Sequence, residues 1–273
     1  MKYNILGNTD MKVSHVSMGG ASFSNIYGSF DEEKSLQLIK KTLSLGVNYL
    51  ETGPWYGQGS SEKVIGKMHD ITFAPDISII LKETLPALDR AVKDGKARYI
   101  GVADYDLDLM KEIIEESDIH LSTILSYSKS TLFDNRLQNY AKYFKVKGVG
   151  IINAAATGMG LLTNHGPQPW HPASDDIKAL CQRASNYCKD QGVELARLAT
   201  WFTLNQPDVD TNVCGFFNIE QMEDTLNVSE KGLTEHEKAV LAHLQLRFFD
   251  NITLHWDEVE LNAYKTKLEN ITT

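Results

Sequence analysis

Two residue types that could move a proton lie five positions apart in the stretch VNYLETGPWYGQGSSEKVIG: the acid Glu51 and the phenol Tyr56. The apolar run from Val47 to Leu50 predicts a short buried strand that stops at Glu51. Pro54, Trp55, Tyr56 and Gly57 then predict a loop ahead of a helix near Ser60. An acid at a strand end and a tyrosine in the following loop share one rim. A tyrosine titrates near 10, so as a general acid or base at neutral pH it needs a neighbour that tunes it. On residue type alone, Tyr56 reads as a half-buried loop aromatic and Glu51 as a solvated strand end.

The elements that must position this rim alternate along the chain. Tyr3 to Val13 predicts a hairpin around the turn Gly7-Asn8-Thr9-Asp10, and Ser14 to Gly20 a strand. Asp31 caps a helix with Glu32 and Glu33 in its first turn and Gly46 as its stop. A helix from Asp76 to Lys93 carries Pro86, which predicts a kink or break near Thr84. Strands follow at Ala97–Ala103, Leu121–Ser126, Val149–Ala155 and Thr211–Gly215. Between and after them come helices at Leu107–Glu116, Asp134–Phe144, one capped by Ser174, Val193–Leu204, one capped by Asn218, and one opened by the capping box Thr234/Glu237. About six strand–helix pairs in one domain suggest a doubly wound open sheet or a (β/α)8 barrel short of its usual complement. No dinucleotide fingerprint is present, because Gly158-Met159-Gly160 lacks the third glycine.

The 273 residues carry a net charge of -9, with no basic run, which argues against nucleic acid or an anionic membrane surface as a partner. Small molecules are the expected ligands. Three cysteines, an odd number, suggest a reducing compartment, and Cys181 and Cys188 fall on the apolar stripe of the Ser174-capped helix. The N-terminus lacks the apolar run of a signal peptide, so the cytoplasm is the expected location. No metal site is suggested.

Four stretches together carry a family likeness: LGNTDMKVSHVSMGG, NYLETGPWYGQGSSEKVIG, VKDGKARYIGVADY and GMGLLTNHGPQPWHPASD. In this order they resemble the aldo-keto reductase family, and more narrowly its L-galactose dehydrogenase-like branch. The resemblance implies a (β/α)8 TIM-barrel fold over residues 1–273 as a single domain. It also implies NADP(H) or NAD(H) as cofactor, and hydride transfer to or from a small aldehyde, ketone or sugar alcohol. The alternative is a catalytically inactive, truncated form that at most binds nucleotide.

The family places an aspartate, a tyrosine, a lysine and a histidine at the carboxyl ends of its early strands. Carried over, the aspartate position is Glu51, one methylene longer; the tyrosine is Tyr56; and His69, in KMHDITFAPD, resembles the histidine. The lysine has no counterpart. Where the family holds a strand, a helix and most of another strand, only Lys67 and Met68 lie between Gly66 and His69. The barrel is thus expected to lack about two strand–helix units, leaving about six strands instead of eight.

On the cofactor side, the resemblance puts Ala103 and Asp104 where relatives have a serine and an asparagine that hold the carboxamide. It puts Tyr127 near the nicotinamide ring and Gly160 and Leu161 in the loop over the pyrophosphate. Gly215, Asn218 and Gln221 fall in the adenosine-phosphate segment, and Phe217 occupies the position of an arginine that holds the 2′-phosphate in many relatives.

Overall fold

A computed structural model describes residues 1–24, 27, 31–53, 56, 57, 61, 77–250, 252, 255 and 256. A two-stranded antiparallel hairpin, β1 (Tyr3–Ile5) and β2 (Lys12–Ser14), precedes β3 (Val16–Gly19), β4 (Leu50–Glu51), β5 (Gly101–Asp104), β6 (Thr123–Tyr127), β7 (Gly150–Ala154) and β8 (Thr211–Gly215). The last six form one parallel sheet in the order β4-β3-β8-β7-β6-β5. The sequence of β7, GIINA, is buried throughout, as parallel strands covered on both faces require. Among the described residues no strand pairs with the outer edges of β4 and β5. Among the described residues the sheet is therefore a parallel partial barrel of six strands.

Helices pack on its outer face: α1 (Glu32–Ser44), α2 (Leu85–Lys93), α3 (Leu107–Glu116), α4 (Gln138–Val146), α5 (Asp175–Asp190), α6 (Leu195–Leu204), α7 (Ile219–Lys231) and α8 (Glu235–Leu244). Their starts follow side-chain chemistry. Asp31 accepts from the Lys34 N–H, Ser174 from Ile177, Asn218 from Gln221, and Thr234 and Glu237 close a capping box. Each satisfies a backbone donor that the first helical turn leaves without a partner.

The largest core joins Val16 and Met18 of β3 and Cys214 of β8 to α1 and α5–α8. Ile124 and Ile151 meet α3 and α4 through Met110, Leu137 and Phe144. On the inner face, Leu6 and Val13 of the hairpin join Ile152, Ala154 and Val213, with Tyr49, Leu125 and Tyr127 against them. Because strand side chains alternate between faces, the residues in register with these belong to the interior.

Several elements differ in extent from the sequence expectation, among them the strand expected at Ala97–Ala103, which runs over Gly101–Asp104. The strand expected over Val47–Leu50 reduces to Leu50–Glu51, because Asn48 spends its bonds on Ser14. The Ser14 N–H donates to Asn48 Oδ1 at 2.7 Å and the Asn48 N–H to Ser14 Oγ at 3.1 Å. The helix expected from Asp134 starts at Gln138, since Asp134 is held in a turn with Thr131 and in ion pairs. The break near Thr84 is a wide π turn over Ile80–Thr84, where the Leu85 N–H reaches the Ile80 carbonyl. Pro86 then falls in the first turn of α2, the one place where its missing N–H costs nothing.

Candidate active site

β3 and β4 pair so that Gly19 stands opposite Glu51, at the carboxyl end of both strands. The carboxyl ends are where barrels of this kind gather their chemistry. Glu51 follows Tyr49 by two residues and so shares its face, towards the inner cluster. The loop returns Tyr56 over this point, its N–H donating to the Gly53 carbonyl at 2.9 Å. The Tyr56 hydroxyl donates to Glu51 Oε1 at 2.9 Å. The two residues that the sequence singled out are thus one hydrogen-bonded pair.

The electrostatics of the pair are set by burial. Burial pushes the Glu51 carboxyl up, while the Tyr56 hydroxyl and the Gly20 backbone N–H pull it back down. Burial, then the charge of Glu51 and the bond to it, hold the Tyr56 phenol well above the ordinary tyrosine range. Tyr49, buried beside the same carboxylate, is pushed up to about 12. Among the described residues no cation acts on either member of the pair.

Further tyrosines extend the rim. Tyr27, from the segment after β3, bonds to Tyr127 at the end of β6 and lies near Tyr56. Tyr127 is raised well above 10, by burial first and then by Tyr27 and Tyr105. The Tyr105 ring meets Tyr127 edge to face, with centroids 5.0 Å apart, and Lys129 Nζ sits 5.7 Å above the Tyr105 ring. Lys129 is 3% exposed and pairs at 3.4 Å with Asp134, also 3% exposed. Burial alone would raise the Asp134 carboxyl; Arg136 and Lys129 outweigh it and hold it below the usual range.

The expected cofactor residues are placed as follows. Ala103 pairs with Leu125, an inner-face residue, and lines the interior. Asp104 pairs with Ser126 on the other face, and its Oδ1 accepts from the Asp106 N–H at 2.8 Å. Burial raises its carboxyl against that bond and one from the Tyr105 N–H. Gly160 adopts φ +97°, and a Cβ there would stand 3.2 Å from Pro167 Cα. Leu161 beside it is buried.

Gly215 ends β8 exposed, with nothing within 4 Å of where a Cβ would stand. Directly beyond it, Asn218 accepts from the Gln221 N–H at 2.8 Å, and Gln221 Oε1 accepts from the Phe217 N–H at 2.9 Å. An open glycine followed by the capped start of a 13-residue helix fits a phosphate group. Phe217 is 56% exposed and adds no charge there.

His69, Pro54, Trp55, Lys63, Lys67 and the shortened segment between Gly66 and His69 lie outside the described residues. Sequence reasoning missed Tyr27, Tyr105 and Lys129, which reach the rim only through tertiary packing. Tyr49 carried a readable signal in its two-residue spacing from Glu51. Trp170 and His171, neighbours in the loop before α5, part company. His171 is buried, its ring bonded to the Gly158 carbonyl at 3.1 Å, whereas Trp170 is 48% exposed.

A parallel sheet with helices outside and polar side chains at its carboxyl rim places the chain in the (β/α)8 class, with six of the strands among the described residues. Residues 15–70 and 67–246 match the aldo/keto reductase family model, and the chain belongs to that family. The two matched stretches overlap over residues 67–70, which include His69.

Over 81% of its length the chain is 28% identical to L-galactose dehydrogenase of Arabidopsis thaliana, of which the match covers 86%. Over 71% it is 26% identical to D-arabinose 1-dehydrogenase of Saccharomyces cerevisiae, covering 76% of that protein. Among solved structures, the aldo-keto reductase AKR11C1 from Bacillus halodurans, in a holo form, superposes with a TM-score of 0.65 at 21% identity, over 89% of this chain and 96% of the other. Glycerol dehydrogenase AKR11B4 from Gluconobacter oxydans gives 0.66 at 17% identity, over 92% and 97%.

Proposed function

We propose that this chain is an oxidoreductase linked to NADP(H) or NAD(H) that acts on a small sugar or other carbonyl–alcohol pair. The observation that carries the reading is the Tyr56–Glu51 hydrogen bond on the inner carboxyl rim. Tyr56 exchanges the proton of the reacting oxygen. Tyr127 and Ala103 line the interior at the strand ends where the reacting ring is held. Gly160 and Leu161 border the pyrophosphate, and Gly215 with the start of α7 takes the adenosine phosphate. A bound nicotinamide supplies the hydride donor or acceptor. On the family resemblance, His69 is a second hydrogen-bond partner of the substrate oxygen.

Two of the named relatives, L-galactose dehydrogenase and D-arabinose 1-dehydrogenase, are named for sugars, which supports a sugar as substrate. The chemistry suits a reducing compartment, with all three cysteines free and buried. Among the described residues no helix is long and apolar enough to cross a membrane.

A second reading, a nucleotide binder without turnover, is favoured by the lack of any described cation acting on Tyr56. Titration with NADH and NADPH by fluorescence, followed by sugar and aldehyde assays against Tyr56→Phe, separates the two. Turnover lost in the variant supports the enzyme. Cofactor binding by folded protein with no turnover on any substrate supports the binder, and no cofactor binding at all overturns both.

A further inference from the structure

A phenol has one hydrogen to donate. In this structure the Tyr56 hydrogen is spent on Glu51 Oε1, at 2.9 Å. The Tyr56 oxygen therefore turns lone pairs, not a proton, towards an incoming substrate. A carbonyl oxygen would meet it lone pair to lone pair, whereas a hydroxyl would donate to it.

We propose that Glu51 is the terminal proton acceptor of this site, drawing through Tyr56 the proton that a substrate hydroxyl gives up when an alcohol is oxidised and returning it by the same route when the carbonyl is reduced. The inference rests on the function proposed above and names the group that holds the proton.

The step balances with an oxidised nicotinamide nucleotide as co-reactant. The substrate C–H bond breaks with its electron pair, and the hydride passes to the nicotinamide. The substrate O–H bond breaks, and its proton moves to the Tyr56 oxygen as the Tyr56 proton moves to Glu51. The carbon–oxygen single bond becomes a double bond, the cofactor is reduced, and Glu51 releases the proton to solvent.

The groups facing this carboxylate suit the task. From its own strand comes Tyr49, from the loop Tyr56, from the turn after β3 the Gly20 N–H, and beyond Tyr56 stand Tyr27 and Tyr127. Of these, Tyr56 and the Gly20 N–H donate to Glu51, and the other tyrosines are uncharged neighbours. Burial moves the carboxyl up, towards the working range of a general base.

The test compares wild type, Glu51→Gln, Glu51→Asp and Tyr56→Phe. The assays cover oxidation of sugars with NAD+ or NADP+ and reduction of the matching carbonyls across pH. The expected result is oxidation that falls away as pH drops through the Glu51 titration. Glu51→Gln should lose about 10²-fold or more in kcat and lose that pH limb, with Glu51→Asp intermediate. Infrared spectra supply a readout that needs no turnover. A protonated carboxyl band should persist above the ordinary glutamic acid range of about 4.3, vanish in Glu51→Gln and shift in Tyr56→Phe.

An active wild type whose Glu51→Gln variant keeps both rate and pH profile overturns the inference and leaves the oxidoreductase reading standing. So does a carboxyl band that titrates normally and ignores Tyr56→Phe. A folded wild type that turns over nothing in either direction overturns the reading, and the inference with it.

Discussion

Gly19 on β3 stands directly opposite Glu51 on β4, and a methyl group on Gly19 would meet Val213 Cγ1 at 3.0 Å and Glu51 Oε2 at 3.7 Å. The first contact is tight and the second ordinary. Gly19→Ala should therefore cost stability, about 1–3 kcal/mol of overpacking, while leaving the Glu51–Tyr56 bond in place. Gly19→Val should also displace the carboxylate. Urea denaturation of both, with the infrared carboxyl band of Glu51 followed alongside, checks the difference.

Removing the charge of Asp134 takes a counter-charge away from a buried cation. Asp134→Asn leaves Lys129, 3% exposed, facing a neutral amide, and breaking such a pair by removing one partner costs about 3–5 kcal/mol. The double variant Lys129→Met/Asp134→Leu should recover part of that loss, because both buried charges go while Arg136, 38% exposed, still loses the carboxylate it pairs with. Thermal unfolding of the two proteins decides it.

Acid should weaken the fold through His171. Burial lowers this imidazole to about 4, against its bond to the Gly158 carbonyl, which favours the charged form. The unfolded chain binds the proton near the ordinary histidine value of 6.5 and the folded chain only at about 4. Stability from this group is thus complete above the unfolded value and is lost as pH falls through that window, by up to roughly 3 kcal/mol. His15, also lowered by burial, acts in the same direction. His171→Gln should flatten this part of the stability–pH curve, measured by denaturant titration between the two values.

Phe217→Arg should shift cofactor preference towards NADPH. The side chain is 56% exposed beside the start of α7, where a guanidinium could pair with a 2′-phosphate. A charge-assisted bond contributes about 1.5–3 kcal/mol, so the NADPH/NADH affinity ratio should rise about tenfold or more. Fluorescence titrations with both nucleotides measure it.

Much of the frame was legible in the chain because it is local. Asp31, Ser174, Asn218 and Thr234 each cap the helix that their types announce, and the alternation of strands and helices prescribes a parallel sheet. Glu51 and Tyr56 were legible as a rim because only five positions separate them. Lys129 was not, since a lysine in a Ser-rich stretch reads as solvated. Its burial depends on Asp134 closing over it and Tyr105 approaching from another strand. The late start of α4 has the same origin, an ion pair that outbids helix propensity. The length of β4 was overestimated because Asn48 answers to Ser14, 34 positions away.

The β3–β8 ladder also dictates an order of events in the life of the chain. The Thr211 hydroxyl donates to the Ser14 carbonyl across 197 positions, and Val16 pairs with Asn212. The second strand of that ladder leaves the ribosome long after the first. Until then, among the described residues, β3 has the two-residue β4 as its partner in the sheet. Closing so long a loop is slow. The growing chain thus carries one apolar edge of VSMG unpaired until β8 emerges, and its yield in a cell should depend on chaperone supply more than its final stability would suggest.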